Sequence, residues 1–137
     1  IGIAKEIILS DNGLNHPLYK DKDKKFNSPA FNFDEVVTIP SSGVCLASNK
    51  INKIQSLYFN VGDTKIWGLQ YHPEITYEKM ISLINYRREH LLSNKEIFKN
   101  ESDLDTHIEN INEINNHTKK EIRMKEVENW LDFSSLI

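Results

Sequence analysis

The chain has 137 residues and a mass of 16.0 kDa, which is about the length of one domain. Its hydrophobic content of 39% suffices for a modest core, and its net charge of -3 with a pI near 6.0 excludes the basic surface typical of nucleic-acid-binding proteins. No apolar run reaches the ~18 residues of a membrane span. A single cysteine excludes an internal disulfide, so we expect a reducing, cytoplasmic location.

Short β-strands are predicted along the first half of the chain. The isoleucine-rich residues 3–9 form the first strand, and residues 10–13 carry a turn signal. Residues 16–19 are expected to be irregular, and residues 20–25 form a charged loop. Further apolar runs bounded by turn residues predict strands over residues 36–39, 44–47, 54–59 and 65–71.

The second half of the chain changes to a helical period. Apolar residues spaced i, i+3, i+4 and i+7 from Tyr77 to Ile84 predict a helix, for which Thr76 is a suitable N-cap. Two more apolar stripes run from Leu104 to Ile114 and from Met124 to Leu131. Thr118 is expected to cap the last helical segment. The charges of residues 119–128 alternate in sign, which indicates a solvated, salt-bridged helix face.

The chain begins with Ile1, and its methionines are Met80 and Met124. A complete translation product would begin with methionine, and residues 1–9 already have strand character. We therefore expect a fragment, a processed product or a trimmed form, in which the domain is entered partway.

His72 and Glu74 follow the last predicted strand and directly precede the first long helix. Residues i and i+2 of an extended segment project to the same side, and Pro73 between them suits a strand end. Ligands and catalytic groups of α/β sheets lie at that edge of the sheet. A histidine there can take a proton from a thiol, and a carboxylate can hold its tautomer. Local hydrogen bonding without catalysis is the alternative for an isolated His-Pro-Glu.

Residues 67–74 read Trp-Gly-Leu-Gln-Tyr-His-Pro-Glu and resemble the triad segment of class I glutamine amidotransferases, W-G-x-Q-[FY]-H-P-E. Similar pieces follow the family's order through most of residues 1–90. Residues 16–19 are similar to the family's HPLF stretch, and residues 33–48 contain the elements of its "H-x-D-E-V, L-P, LAS" pattern. The nearest likeness is to stand-alone proteins similar to the amidotransferase domain of GMP synthase.

The resemblance implies an α/β fold that is the C-terminal portion of a flavodoxin-like class I amidotransferase domain. Residues 1–92 would belong to that domain, and residues 93–137 would be a helical C-terminal extension. In the family, a cysteine attacks the side-chain amide of glutamine, and water hydrolyses the resulting thioester. By residue match, His72 would be the general base and acid, and Glu74 would orient it.

Two departures from the family pattern affect this prediction. Asn32 stands where the family has a histidine, which changes local hydrogen bonding rather than the mechanism. The cysteine of the family's Gly-x-Cys-x-Gly elbow lies upstream of the matching region, so the chain alone is expected to be inactive. Cys45 lies in an apolar strand without elbow geometry, and we expect it to be an inert core residue.

The other side chains that could take part in catalysis or metal binding are expected to have structural roles. His16 is expected to be a structural or loop residue, and Glu35 or Asp34 is expected to cap or orient a loop near the site. His90, His107 and His117 are expected to be solvated. Trp67 and Trp130 are expected to be core or packing residues. The histidines lack the spacing of a metal site, so no metal and no cofactor are predicted.

The partner predicted from the resemblance is glutamine or a γ-glutamyl substrate, while the charge and the hydropathy predict no nucleic-acid and no membrane partner. An ammonia-accepting synthetase is left open as a further partner. Two alternatives also stay open: a γ-glutamyl hydrolase with the same triad, and a non-catalytic amidotransferase-like module that binds a partner through its helical tail.

Overall fold

The computed structural model describes residues 1–136 and shows an α/β arrangement, as the sequence predicts. The strands within those residues are β1 (Gly2–Leu9), β2 (Lys25–Ala30), β3 (Val44–Ser48), β4 (Ser56–Val61) and β5 (Thr64–Leu69). The helices are α1 (Asp11–Leu14), α2 (Tyr77–Tyr86), α3 (Arg88–Ser93), α4 (Glu101–Asn116), α5 (Lys120–Arg123) and α6 (Lys125–Ser135), and a 3-10 helix spans Pro17–Tyr19.

The five strands form one antiparallel sheet in the order β2-β1-β3-β4-β5. The sheet curls so far that the segment after β5 returns to the opposite edge, where the backbone N–H of His72 donates to the Pro29 carbonyl of β2 at 2.7 Å. The segment that follows β5 thereby lies against β2, the strand at the other edge of the sheet. The α/β class is confirmed, and the flavodoxin-like subtype stays a prediction.

A bulge in β1 adds to this curl. The register between β1 and β2 shifts between Ala4 and Ile7. Within the shift, Glu6 has a φ of 52°, a left-handed conformation that is uncommon for a residue with a side chain. The backbone N–H of Glu6 donates to the side-chain Oδ1 of Asn27 at 2.8 Å. Bulges of this kind bend a strand and increase its twist.

One strand is predicted where the structure has none, and one strand of the structure is not predicted. Residues 36–39 form no strand, and Val37 is 80% exposed. Their β-branched composition has no effect because the segment has no neighbouring strand to pair with. The strand β2, by contrast, begins at Lys25, the last residue of the predicted charged loop, and continues over residues 26–30, for which no element is predicted. It contains Pro29, which an edge strand tolerates because one side of its backbone makes no ladder bonds.

Two apolar clusters hold the chain together. The first joins residues of β1, β3 and the 3-10 helix with Tyr71, and includes Ile7, Leu46 and Ala47 at 0% exposure. The second lies between β1 and the helices α2 to α4, where Ile84, Leu104 and Ile111 are fully buried. The apolar stripe of α4 therefore packs within this chain.

The helix ends test the predicted caps. The Thr76 side chain accepts from the Lys79 N–H at 3.2 Å, which confirms it as the N-cap of α2. The cap predicted at Thr118 is wrong, because its hydroxyl donates back to the Ile114 carbonyl and Lys119 precedes α5. Over residues 1–136, none of the helices combines the length and apolarity needed to cross a bilayer. The boundary between residues 92 and 93 stays a prediction.

Candidate active site

His72 and Glu74 are joined directly. The distance between His72 Nδ1 and Glu74 Oε1 is 2.8 Å, and the two side chains are 41% and 51% exposed. The segment is a turn rather than the predicted extended strand end, since the Ile75 N–H donates to the His72 carbonyl at 3.2 Å. Pro73 suits the second position of such a turn because its φ is fixed near the required value. The imidazole is therefore oriented by a carboxylate and remains accessible.

A cavity of about 520 Å³ adjoins this pair. One wall comes from the loop after β2, a second from the end of β5, and a third from α2. The Arg87 guanidinium lies 5.4 Å from the centre of the Phe31 ring and closes one side. The lining residues are Phe31, Asn32, Phe33, Asp34, Glu35, Gln70, His72, Ile75, Met80, Leu83 and Arg87. The cavity thus places His72 among polar, charged and aromatic groups.

Asn32, the departure from the family pattern, bridges two parts of this cavity. Its Nδ2 donates to the Asp34 carbonyl at 2.9 Å and to Gln70 Oε1 at 3.3 Å. The Gln70 N–H in turn donates to the Gln55 carbonyl at 2.8 Å. Asn32 therefore connects the loop after β2 to the segment after β5 that carries His72. Asp34 and Glu35 are exposed and line the cavity.

A buried polar network, which the sequence did not reveal, lies behind His72. The Tyr71 hydroxyl is 2.7 Å from the Tyr19 hydroxyl and donates to Glu126 Oε1 at 2.9 Å. Glu126 Oε2 is paired with Lys22 Nζ at 2.8 Å, and both of these side chains are 1% exposed. Tyr19 continues the chain to Ser56 at 2.5 Å. Burial raises the pKa of Tyr71 well above its usual value, so the phenol stays neutral.

Arg123 contacts the His-Glu turn from the other side. Its guanidinium Nη1 donates to the Pro73 carbonyl and, at 2.9 Å, to the Ile75 carbonyl. The prediction of a solvated helix face holds for Lys125 and Glu128, which pair at 3.4 Å, and is wrong for Arg123 and Glu126, which are 7% and 1% exposed. The i, i+3 spacing of positions 126 and 129 is the available signal, because it places Glu126 and Asn129 on one face of α6. Arg123 ends the preceding helix α5.

Cys45 lies outside the lining of the cavity. Its Sγ is half-buried and donates to the Ala47 carbonyl at 3.3 Å. Burial raises the pKa of the thiol, which disfavours the thiolate that a nucleophile requires. These features agree with the structural role predicted for Cys45.

The other histidines differ in their surroundings. His16 caps the 3-10 helix, where Nδ1 accepts from the Leu18 N–H, and its ring packs edge-on against Trp67 with centroids 4.8 Å apart. The predicted solvation of His107 is wrong, since the ring is partly buried and Nε2 is 2.6 Å from the Ile1 carbonyl. His90 and His117 are exposed. Among residues 1–136, no group of three or more His, Cys, Asp or Glu is placed to hold a metal ion.

The tryptophans also differ from one another. Trp67 packs against Phe133 of α6 with ring centroids 4.8 Å apart, in agreement with the predicted packing role. Trp130 is 51% exposed, so of the two roles predicted for it the core position is wrong. The helix α6 therefore covers Trp67 while its own tryptophan faces solvent in part.

Comparison with known proteins gives one informative similarity. No family model matches the chain. The chain is 34% identical over 73 residues to a γ-glutamyl-L-1-hydroxyisopropylamide hydrolase from Pseudomonas sp. The match covers 53% of this chain and 24% of that relative, so the chain spans about a quarter of the relative's length. This similarity supports the broad class of amidotransferase-like hydrolases that the motif at residues 67–74 indicates.

Proposed function

We propose that this chain carries the histidine and glutamate of a Cys-His-Glu hydrolase that cleaves γ-glutamyl amides. The observation that carries the proposal is the 2.8 Å contact between His72 Nδ1 and Glu74 Oε1 beside an open cavity. The similarity to a relative named for hydrolysing a γ-glutamyl amide supports this substrate class over an ammonia-transferring function.

The two side chains have distinct roles in the proposed reaction. Glu74 holds the proton on Nδ1 of His72, so that Nε2 is free to accept a proton from a cysteine thiol. The thiolate attacks the γ-carbonyl carbon, and the protonated imidazole gives its proton to the departing amine. Water then attacks the thioester with His72 as the base, which releases glutamate and the thiol. The proposed reaction requires a cysteine nucleophile from beyond residues 1–137.

Several finer assignments belong to the same proposal. The domain is of the flavodoxin-like amidotransferase type, and the protein acts in the cytoplasm. Glutamine, the simplest γ-glutamyl amide, is a second substrate. The likeness to the GMP synthase amidotransferase group is limited to the motifs of residues 16–48 and 67–74.

The test uses the full protein expressed from its own gene. Amine release from γ-glutamyl alkylamides and ammonia release from glutamine are compared as kcat/KM. The variant His72→Ala is expected to lose about 10²–10⁴-fold in kcat, the usual contribution of a general base. Glu74→Ala is expected to lose less, because the imidazole remains present.

A matched control is available in His90→Ala, since His90 is an exposed histidine on α3. This variant should retain wild-type turnover. If the His72→Ala protein hydrolyses γ-glutamyl amides at the wild-type rate, the assignment of His72 is wrong. If glutamine is the much better substrate, the hydrolase proposal gives way to a glutaminase of the amidotransferase type.

A further inference from the structure

We propose that Arg123 and Glu126, from the C-terminal helices, are positioning residues that set the geometry of the His72–Glu74 pair. Neither side chain contacts His72 or Glu74 through its own hydrogen bonds; each holds a residue next to them. The catalytic consequence rests on the hydrolase proposed above, whereas the geometric consequence stands without it.

The first support is the pattern of contacts along the turn. Arg123 binds the carbonyls of Pro73 and Ile75, the residues on either side of Glu74. Glu126 binds the hydroxyl of Tyr71, the residue that precedes His72. Positions 71, 73 and 75 are therefore held by the helices, while the side chains at 72 and 74 remain free to face a substrate.

The second support is the contrast in exposure. His72 and Glu74 are 41% and 51% exposed, so surrounding side chains constrain their rotamers little. Arg123 and Glu126 are 7% and 1% exposed. An exposed pair keeps a fixed geometry only if its backbone is fixed, and a planar guanidinium with two carbonyl acceptors defines the orientation of both peptide groups. The buried residues thus supply the rigidity that the exposed pair lacks.

The Lys22 ammonium completes this arrangement. It pairs with Glu126 Oε2 at 2.8 Å and donates to the Ile122 carbonyl at 2.8 Å. The Glu126 carboxylate is therefore neutralised and fixed, with Oε1 aimed at the Tyr71 hydroxyl. Both members of this buried ion pair must stay in place, since a charge left unpaired in the interior would substantially lower the free energy of unfolding.

The primary experiment reads the His72 imidazole directly. Two-dimensional long-range ¹H–¹⁵N NMR of the purified full protein reports which ring nitrogen of His72 carries the proton at neutral pH. We expect Nδ1–H in the wild type, because Glu74 accepts that hydrogen bond. In Arg123→Met, the turn loosens and the fraction of Nδ1–H falls. Arg123→Lys, which keeps one charged donor, should restore part of it.

The control for these variants is Arg88→Met. Arg88 pairs with Glu101 and Asp105 between helices, and its removal deletes an arginine without touching the turn. Its His72 spectrum should match that of the wild type. Circular dichroism and urea unfolding establish that each variant is folded. If Arg123→Met does not fold, Glu126→Gln, which preserves shape, is expected to shift the His72 signal in the same direction.

The kinetic arm uses the full protein. Arg123→Met is expected to lower kcat by about 100-fold with a small change in KM, because a displaced base impairs the chemical step more than binding. A folded Arg123→Met with a wild-type tautomer and a wild-type kcat would show that Arg123 only stabilises the fold. If the wild type hydrolyses no γ-glutamyl amide while the tautomer still responds to Arg123, the proposed function fails and the positioning role stands.

Discussion

The helices α4 and α6 are both amphipathic, yet they are held to the rest of the chain mainly by different kinds of contact. The helix α4 packs through aliphatic side chains, with Leu104 and Ile111 fully buried against β1 and α2. The α5–α6 segment attaches through Arg123 and Glu126, and also through Asn129, which donates to the Leu18 and Lys20 carbonyls at 2.9 Å each. One contact is apolar and the other is largely polar.

The difference shows what each contact can control. Apolar burial is roughly proportional to area and has no preferred direction, so it stabilises α4 without specifying the position of any backbone atom. Hydrogen bonds from buried charged groups are directional and lose much free energy when they are misaligned. The polar contact is therefore suited to fixing the turn that contains His72, and the apolar contact is suited to stability.

The largest effect on stability is expected from breaking the buried ion pair. Lys22→Met leaves the Glu126 carboxylate at 1% exposure without its cation, which should cost about 3–5 kcal/mol of unfolding free energy. Urea unfolding measures this loss. The double variant Lys22→Met/Glu126→Leu should recover most of it, because apolar replacement of a buried pair is often neutral.

The same double variant sharpens the comparison of the two contacts. It restores stability while Tyr71 lacks its Glu126 acceptor, so the His72 tautomer should stay perturbed. A surface control is Lys25→Met, since Lys25 pairs with Glu6 where both side chains are about half exposed. That variant should change stability little. A large loss of unfolding free energy in Lys25→Met would mean that the contribution of an ion pair to stability does not depend on its burial in this protein.

A comparable loss of stability without any effect on the site is expected from Leu104→Ala. Removing this fully buried side chain from α4 should cost about 2–5 kcal/mol through lost burial and a residual cavity. Urea unfolding measures the loss, and the His72 NMR signal should remain that of the wild type in the folded protein. A shifted His72 signal would show that the apolar contact also sets the geometry of the turn.

The smallest expected effect is the pH dependence of stability that arises from His16. This residue caps the 3-10 helix, and α6 contacts that helix. Burial lowers the pKa of His16 below its ordinary value of 6.5, so the unfolded chain binds the proton more readily than the folded one. Stability is therefore complete above pH 6.5 and falls as the pH drops through the lowered pKa. Thermal unfolding from pH 7.5 to 5 should show this loss, and His16→Asn, which keeps a cap acceptor, should reduce it.

The elements that the sequence predicted correctly depend on local patterns. The strand at residues 44–48 and the α2 helix with Thr76 as its cap follow from short-range periodicity and capping chemistry. The turn between β4 and β5 follows from Gly62, whose φ of 56° suits a two-residue hairpin loop. In the site, the two-residue spacing of His72 and Glu74 predicts their proximity, but a turn rather than the expected extended backbone brings the side chains together.

The features that the sequence did not reveal depend on distant partners. The strand β2 forms because β1 is available to pair with it, not because residues 25–30 favour a strand. Arg123 and Glu126 have the appearance of surface charges, and their burial is favourable only because the Pro73 and Ile75 carbonyls, the Tyr71 hydroxyl and the Lys22 ammonium lie opposite them. Composition cannot show this, since Arg and Glu are usually exposed.

The hydrogen bonds that hold the turn also affect the order in which parts of the protein fold during synthesis. His72 and Glu74 are two residues apart, but Arg123 reaches Pro73 across 50 positions, Glu126 reaches Tyr71 across 55, and Asn129 reaches Leu18 across 111. Contacts of such separation form slowly, because long loops must close first. During synthesis from the N-terminus, the pair leaves the ribosome well before the helices that anchor it. A nascent chain stopped before residue 123 would contain both residues of the pair without these anchors.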